Sequence, residues 1–543
     1  MRSPNPHAEK GNHLLRGEKL FKNTVVGVLS QAIAALTAAV VQLVFIKYMI
    51  KEYLGAKNLF SNILDFLSLA ELGIGLVLVY SMYQPLAEKN ERKLIALTQF
   101  YKKAYRLIAG MVFGSGLLLM PFLSFFIENM DDVPHARFIF FLYLVSSASS
   151  YLFVYKQSIL NADQRLYIVH LFSMIFSIVQ CVLQILILVS GSRNKFFYYL
   201  IVQTVLVVLK NFLLTRKAER LYPFLNTKEK ILLTKDEKKA IYKNVFAMFN
   251  HRVGAVVLGS TDNLLISKFI GIIYCGFYGN FKMIVNLMTA FISQFFNAML
   301  SSVGNMSALE SKDTVYKTFK YLHFLSFWMY TFCTVAFIEL ANPVLMQILT
   351  LMGVEDVQSY GFTFPTILMI GLNFYVIGIR KVPLTFKEAM GLLWYDRYKP
   401  IVEAVINVVV SIAAIQSMGI AGIFFGTIFS MAVTSLWVEP LVLFRHGLKR
   451  SMGEFWAKEL VYLGFSGAMI ALTHVADMKL VNDTLRLTGW LEILAKLGVC
   501  LILPNALIAL CFCRMKEFGE LFGAIGHIVF RKNEQQEAIE AGE

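Results

Sequence analysis

Apolar residues run along this chain in long blocks, each closed by charged or turn residues, with few charges inside a block. Reading those blocks predicts fourteen helices, at 24–49, 58–83, 105–127, 138–155, 167–189, 196–214, 244–268, 274–303, 321–339, 361–379, 401–416, 420–444, 459–477 and 489–513. A helix rises about 1.5 Å per residue, so blocks of this length match a hydrocarbon core about 30 Å thick. The pattern predicts an all-α integral membrane protein with 14 transmembrane helices.

An even number of crossings puts both termini on one side, and the Lys and Arg residues say which. The segments assigned to one face (1–22, 84–106, 156–166, 215–243, 305–320, 380–400, 445–458 and 514–543) carry 38 of them, and the opposite loops carry 7. Basic loops are retained in the cytoplasm, so the reading is a multi-pass protein of the bacterial plasma membrane with both termini cytoplasmic. The outside loops are short and leave no room for a catalytic domain there. Composition agrees: of 543 residues, 57% are hydrophobic and 16% charged, with a mean hydropathy of +0.60, unlike a soluble enzyme. The net charge of +15 is then a topology signal, and no nucleic-acid partner is expected. The six cysteines all sit in apolar runs, which suits packing and argues against a disulfide framework or a metal site. The apolar run after Lys22 is too long for a signal peptide and is expected to stay as the first helix.

The basic segment 215–243 reads as a solvated linker, and it divides the first twelve helices into six and six. Leu59-Phe60-Ser61-Asn62 in span 2 matches Phe277-Tyr278-Gly279-Asn280 in span 8, and each span is followed by a similar cytoplasmic segment (Leu86-Ala87-Glu88-Lys89, Ala308-Leu309-Glu310-Ser311). Asp163 with Ile168-Val169-His170 matches Asp396 with Ile401-Val402-Glu403 in the same order. These repeats predict a cytoplasmic segment 1–22, an N-lobe 23–214, the linker 215–243, a C-lobe 244–444, two extra helices within 445–513 and a cytoplasmic tail 514–543. Six helices per lobe would make the repeats parallel, related by an axis along the membrane normal.

Several spans carry polar stripes where lipid should be. In span 8, Lys282, Asn286, Thr289, Ser293 and Asn297 fall at i, i+4, i+7, i+11 and i+15, one face of a helix. A lysine at bilayer centre costs about 3 kcal/mol, so that face must look at protein or a hydrated cavity. Span 7 offers Arg252, Gly259 and Asn263 on one face with Asp262 beside it, and span 5 offers His170, Ser173, Ser177, Gln180 and Gln184. Span 2 adds Asp65, Ser68 and Glu71, and span 11 adds Glu403 and Asn407. A single such residue commonly serves an interhelical hydrogen bond; stripes in both halves favour a water-filled central cavity. Arg252 and Lys282 fall near mid-depth, and two cations at one level suit an anion. Lys47 and Lys268 lie near helix ends and read as snorkelling. There is no G-x-x-x-x-G-K-[ST] loop for ATP hydrolysis and no H-E-x-x-H zinc motif. Gly422-x-x-x-Gly426 permits close helix packing.

The stretches "NLFSNILDFLSLAELGIGLVLVYSMYQPLAEKN" (58–90), "STDNLLISKFIGIIYCGFYGNF" (260–281), "WYDRYKPIVEAVINVVVS" (394–411) and "GIAGIFFGTIFSMAVTSLWVEPLVLFRHG" (419–447) resemble the polysaccharide flippases of the multidrug/oligosaccharidyl-lipid/polysaccharide exporter superfamily, most of all the Wzx-type O-antigen and capsule flippases. The likeness runs from about residue 20 to 515. It implies two six-helix lobes around a central cavity with alternating access. The implied cargo is an undecaprenyl-diphosphate-linked oligosaccharide moved to the outer leaflet for polysaccharide biosynthesis. The resemblance also implies membrane lipids and polysaccharide polymerase machinery as partners, H+ or Na+ as coupling ion, and no cofactor. By position Arg252 and Lys282 would take the diphosphate, Asn286, Thr289, Ser293, Asn297, Asn263, Ser173, Ser177, Gln180 and Gln184 would line the cavity, and Asp65, Glu71 or Asp262 would serve coupling. Related lipid II flippases use two extra C-terminal helices as a lipid-tail groove, a role spans 13 and 14 would fill. Span 1 departs from that pattern, having Lys47 near its outer end and no mid-depth arginine. An ion-coupled multidrug or cation antiporter on the same fold is the competing expectation.

Overall fold

A computed structural model of the chain describes residues 6–71, 74–127, 133–192 and 194–520. The side chains of Arg252 and Asn297 fall outside the described residues, as do those of residues 6–25. The structure is 87% helical, and the described residues contain no strand. Eleven helical passages among them are long and apolar enough to cross a membrane. Each coincides with a predicted span; the other three spans fall on the α2–α3 passage, α8 and α9, described next. The chain is a multi-pass membrane protein.

By its internal contacts the chain divides into two units, Met1–Asn280 and Phe281–Glu543. The first holds α1 (Pro6–Tyr48), α2 (Lys51–Leu67), α3 (Ile74–Ala87), α4 (Glu91–Leu119), α5 (Ala136–Ala162), α6 (Leu166–Val189), α7 (Lys195–Leu221), α8 (Lys235–Phe269) and the start of α9 (Ile272–Leu309). The second holds the rest of α9, then α10 (Lys312–Leu351), α11 (Phe364–Ile379), α12 (Lys381–Ala389), α13 (Lys399–Met418), α14 (Ile420–Val433), α15 (Ser435–Val442), α16 (Gly453–Ala476) and α17 (Gly489–Phe512). In the first unit α1 packs on α6, α5 on α4 and α7, and α2 on α8; in the second, α10 is the hub for α11, α16 and α17.

Helices extend past the apolar blocks, because a block ends where charge begins while backbone hydrogen bonding continues into water. Span 9, expected over 321–339, is part of the 40-residue α10, which starts when Ser311 caps the Thr314 N–H at 3.2 Å. Within span 2, α2 ends in a 3₁₀ turn over Ser68–Glu71. Ser68 Oγ there donates to the Asp65 carbonyl at 2.6 Å, competing with the helical ladder. Side chains are distributed in the manner of a membrane protein. Of α6, only Ile168, Gln184 and Leu188 are buried, so an amide near its C-terminal end points inward while most of its aliphatic residues are exposed or half-buried.

Close packing follows the small residues. A methyl on Gly426 would sit 2.2 Å from Ser411 Oγ and one on Gly422 2.5 Å from the Ala414 backbone, so α14 lies directly on α13 as that glycine pair predicts. The turn between them is Gly419, whose φ of +57° with ψ of −137° only glycine adopts readily.

The basic segment 215–243 is more structured than a solvated linker. α7 runs on to Leu221, where Lys156 pairs with Glu219 and Tyr222 donates to Asp163 at 2.6 Å. Gln99 of α4 then donates to the Glu229 carbonyl at 2.6 Å. A capping box of Thr234 and Glu237 starts α8.

Candidate functional site: polar clusters among the helices

In the first unit a polar knot joins the beginnings of α2 and α9 to α1 and α8. Lys57 Nζ donates to Gln42 Oε1 at 2.8 Å, and Gln42 Nε2 donates to Asn280 Oδ1 at 2.9 Å. Asn58 donates to the Cys275 carbonyl at 3.0 Å, and Cys275 Sγ to the Asn263 carbonyl at 3.2 Å. α2 and α9 cross here almost backbone to backbone: a Cβ on Gly55 would fall 1.9 Å from the Ile272 carbonyl oxygen, and one on Gly279 2.0 Å from the Asn58 amide. The two segments in contact are the ones that carry the matching Leu59–Asn62 and Phe277–Asn280 motifs. Asn62 and Asn280 are both buried. Lys57 was not expected in this role, since it reads as an outside-loop residue. The helix begins at Lys51, six residues before it, and turns the side chain against the Phe45 ring, 5.3 Å from its centroid.

The predicted site residues divide by location. Asn263 and Asp262 are buried in α8, and the Tyr278 hydroxyl lies 3.5 Å from Asp262 Oδ2. Glu71 is half-buried and accepts from the Tyr105 hydroxyl at 3.4 Å, while Asp65 is exposed. Along α6, Gln180 donates to Gln184 at 3.3 Å and Gln184 to Gln203 at 3.4 Å; Ser173 and Ser177 are half-buried on the same helix. The His170 main-chain carbonyl accepts from Ser30 of α1 at 3.0 Å. In α9, Lys282, Thr289 and Ser293 are half-buried and Asn286 is exposed. Arg252 and Asn297 lie outside the described side chains.

Span 11 corrects the expectation of a cavity stripe. Glu403 and Asn407 of α13 are buried and committed to partners inside the second unit. Asn407 donates to Thr427 at 2.8 Å. Glu403 accepts from Arg380 at 3.1 Å and from Ser435 at 2.5 Å, and Glu439 takes a bidentate contact from Arg380 at 2.8 and 3.2 Å. Lys399 completes the network on Glu439, and Lys387 pairs with buried Asp396 close by. Arg380 reads as part of a cytoplasmic loop in the sequence; here it is the joint between α11 and α12.

Between α10 and α16 runs a second polar seam. Its members are His323 with Glu459 (3.0 Å), Thr331 with Ser466 (2.7 Å) and on to the Tyr375 hydroxyl (2.9 Å), and Glu339 with His474 (3.1 Å). Nothing in the residue spacing signals it, because each half lies in a separate apolar block. No group of three His, Cys, Asp or Glu among the described residues could hold a metal ion.

The chain matches no protein-family model, and none of the curated proteins is similar to it in sequence. Solved structures are similar in fold. The lipid II flippase MurJ in an inward closed conformation superposes with a TM-score of 0.60 at 14% identity, over 90% of this chain and 98% of that one. An inward-facing MATE-family multidrug resistance transporter gives 0.57 at 12% identity, over 78% of this chain and 99% of that one. A transporter of the MOP superfamily from Pyrococcus furiosus, described as having a binding pocket of reversed polarity, gives 0.52 at 13%, over 80% and 96%. At these identities the likeness is one of fold: the helices of this chain are arranged as in those transporters.

Proposed function

We propose that the chain is a flippase for a lipid-linked oligosaccharide, carrying an undecaprenyl-diphosphate glycan across the plasma membrane by alternating access. The observation that favours this over a drug antiporter is the extent of the likeness. The MurJ fold covers 90% of this chain and the MATE fold 78%, an extent that supports a body with helices beyond the twelve of the two lobes. A diphosphate cannot enter hydrocarbon unaided, and fixed cations with neutral donors replace its hydration. In this reading Arg252 and Lys282 hold the diphosphate and the amides and hydroxyls of α6 and α9 meet the sugars. The prenyl tail stays with lipid beside α16 and α17. Asp65, Glu71 or Asp262 links the cycle to H+ or Na+.

Mass spectrometry of lipid extracts tests it. A strain lacking the protein should accumulate a diphosphate-linked oligosaccharide, cleared by the wild-type gene and poorly cleared by Arg252→Glu or Lys282→Glu at equal expression. Normal clearance by both variants and their double would remove the site assignment. The acidic groups Glu71 and buried Asp262 favour a second reading as a cation antiporter. Sensitivity to cationic drugs in the deletion strain, without lipid build-up, would establish that one instead.

A further inference from the structure

The α10–α16 seam ends in an arrangement that the rest of the seam does not share. Its three rungs pair 323 with 459, 331 with 466 and 339 with 474, so the two helices run in the same direction in fixed register. At the last rung both oxygens of Glu339 lie within reach of one nitrogen, His474 Nδ1, at 3.1 and 3.2 Å. One turn on, Asp477 is 1% exposed, and neither of its carboxylate oxygens meets a hydrogen-bond donor. The charged groups that act on it are Glu339 of α10 and Lys496 and Glu492 of α17, with the Cys500 thiol also in range. Lys496 is already engaged, donating to Glu492 at 2.9 Å. Two buried carboxylates therefore face one partly exposed imidazole, and the Lys496 ammonium within range of Asp477 is held by Glu492.

We propose that Glu339 and Asp477 form a proton-binding site in which the two carboxylates share one proton, with His474 as the group that exchanges it with water. Adjacent buried carboxylates cannot both stay ionised, and a shared proton supplies the donor that Asp477 otherwise lacks. His474 is placed for exchange: its ring is stacked on Phe364 at 4.1 Å, and its side chain is 31% exposed. Asp477 also opens a π-helical turn, Asp477–Thr484, a local widening that recurs at functional sites. The site stands on these residues whatever the cargo, and it uses none of Asp65, Glu71 and Asp262.

Infrared titration of the full-length protein in lipid nanodiscs tests it without any transport assay. The wild type should show a protonated-carboxyl C=O stretch at neutral pH that disappears as the pH is raised. Asp477→Asn and Glu339→Gln, both close to isosteric, should each remove that component, whereas Glu459→Gln should leave it. His474→Gln should keep the component and slow its exchange in D₂O severalfold. A wild type with no protonated carboxyl at neutral pH overturns the proposal without recourse to any variant. So does a component that survives in either Asp477→Asn or Glu339→Gln, or one that responds to sodium and not to pH.

Discussion

The second unit contains two buried clusters of charge that were built on opposite principles. Around Arg380 two cations, Arg380 and Lys399, face two anions, Glu403 and Glu439, and each of the four carboxylate oxygens receives a donor. Around Asp477 the carboxylates outnumber the donors they can reach. A balanced network is a fastener: it fixes α11, α13 and α15 and leaves nothing over for a ligand. An unbalanced one stores a demand that something mobile must meet. Counting donors against acceptors thus separates structural charge from charge that can act, which depth in the membrane alone does not do.

The comparison can be broken most severely at Arg380. Arg380→Met leaves two buried carboxylates to Lys399 and should cost about 3–5 kcal/mol, read as a large fall in the unfolding midpoint of the detergent-solubilised protein. Neutralising the whole network with Arg380→Met, Lys399→Met, Glu403→Gln and Glu439→Gln should recover most of that loss, since the penalty lies in the unpaired charge. Asp477→Asn should shift stability at neutral pH by less than about 1 kcal/mol, the range of a substitution that strands no charge; a several-fold larger stabilisation would mean that Asp477 is ionised and unpaired.

The smallest effect is expected at Glu517, beyond the end of α17. Burial pushes its carboxyl up, but the Lys458 ammonium at 2.5 Å outweighs that and holds it below the usual range. A carboxyl with a depressed folded pKa contributes stability above its unfolded value and loses it as pH falls through the folded one. Acidification should therefore weaken the wild type slightly more than Glu517→Gln.

Fourteen apolar blocks were legible because lipid demands them, and the described helices fall on them. Gly422 and Gly426 were legible as a packing motif for a similar reason: the constraint is local. Partners were not. Glu403 reads as one more polar residue on a stripe until Arg380, 23 residues away, and Glu439, 36 away, come to meet it. His323 and Glu459 are separated by 136 residues, and each is a lone polar residue in its own apolar block. Lys57 was illegible for another reason: apolar blocks locate the membrane, but a helix starts where its capping and backbone bonds begin, and α2 already begins at Lys51. At the 3₁₀ turn of span 2, Ser68 turns its hydroxyl back onto the Asp65 carbonyl, a choice of rotamer that composition does not encode.

The crossing of α2 and α9 at Gly55 has a further consequence. Contact there runs through main-chain atoms, so the fit is insensitive to which side chains surround it and intolerant of any at its centre. One added methyl would act as a wedge, prising the two helix ends apart while leaving every charge in the molecule in place.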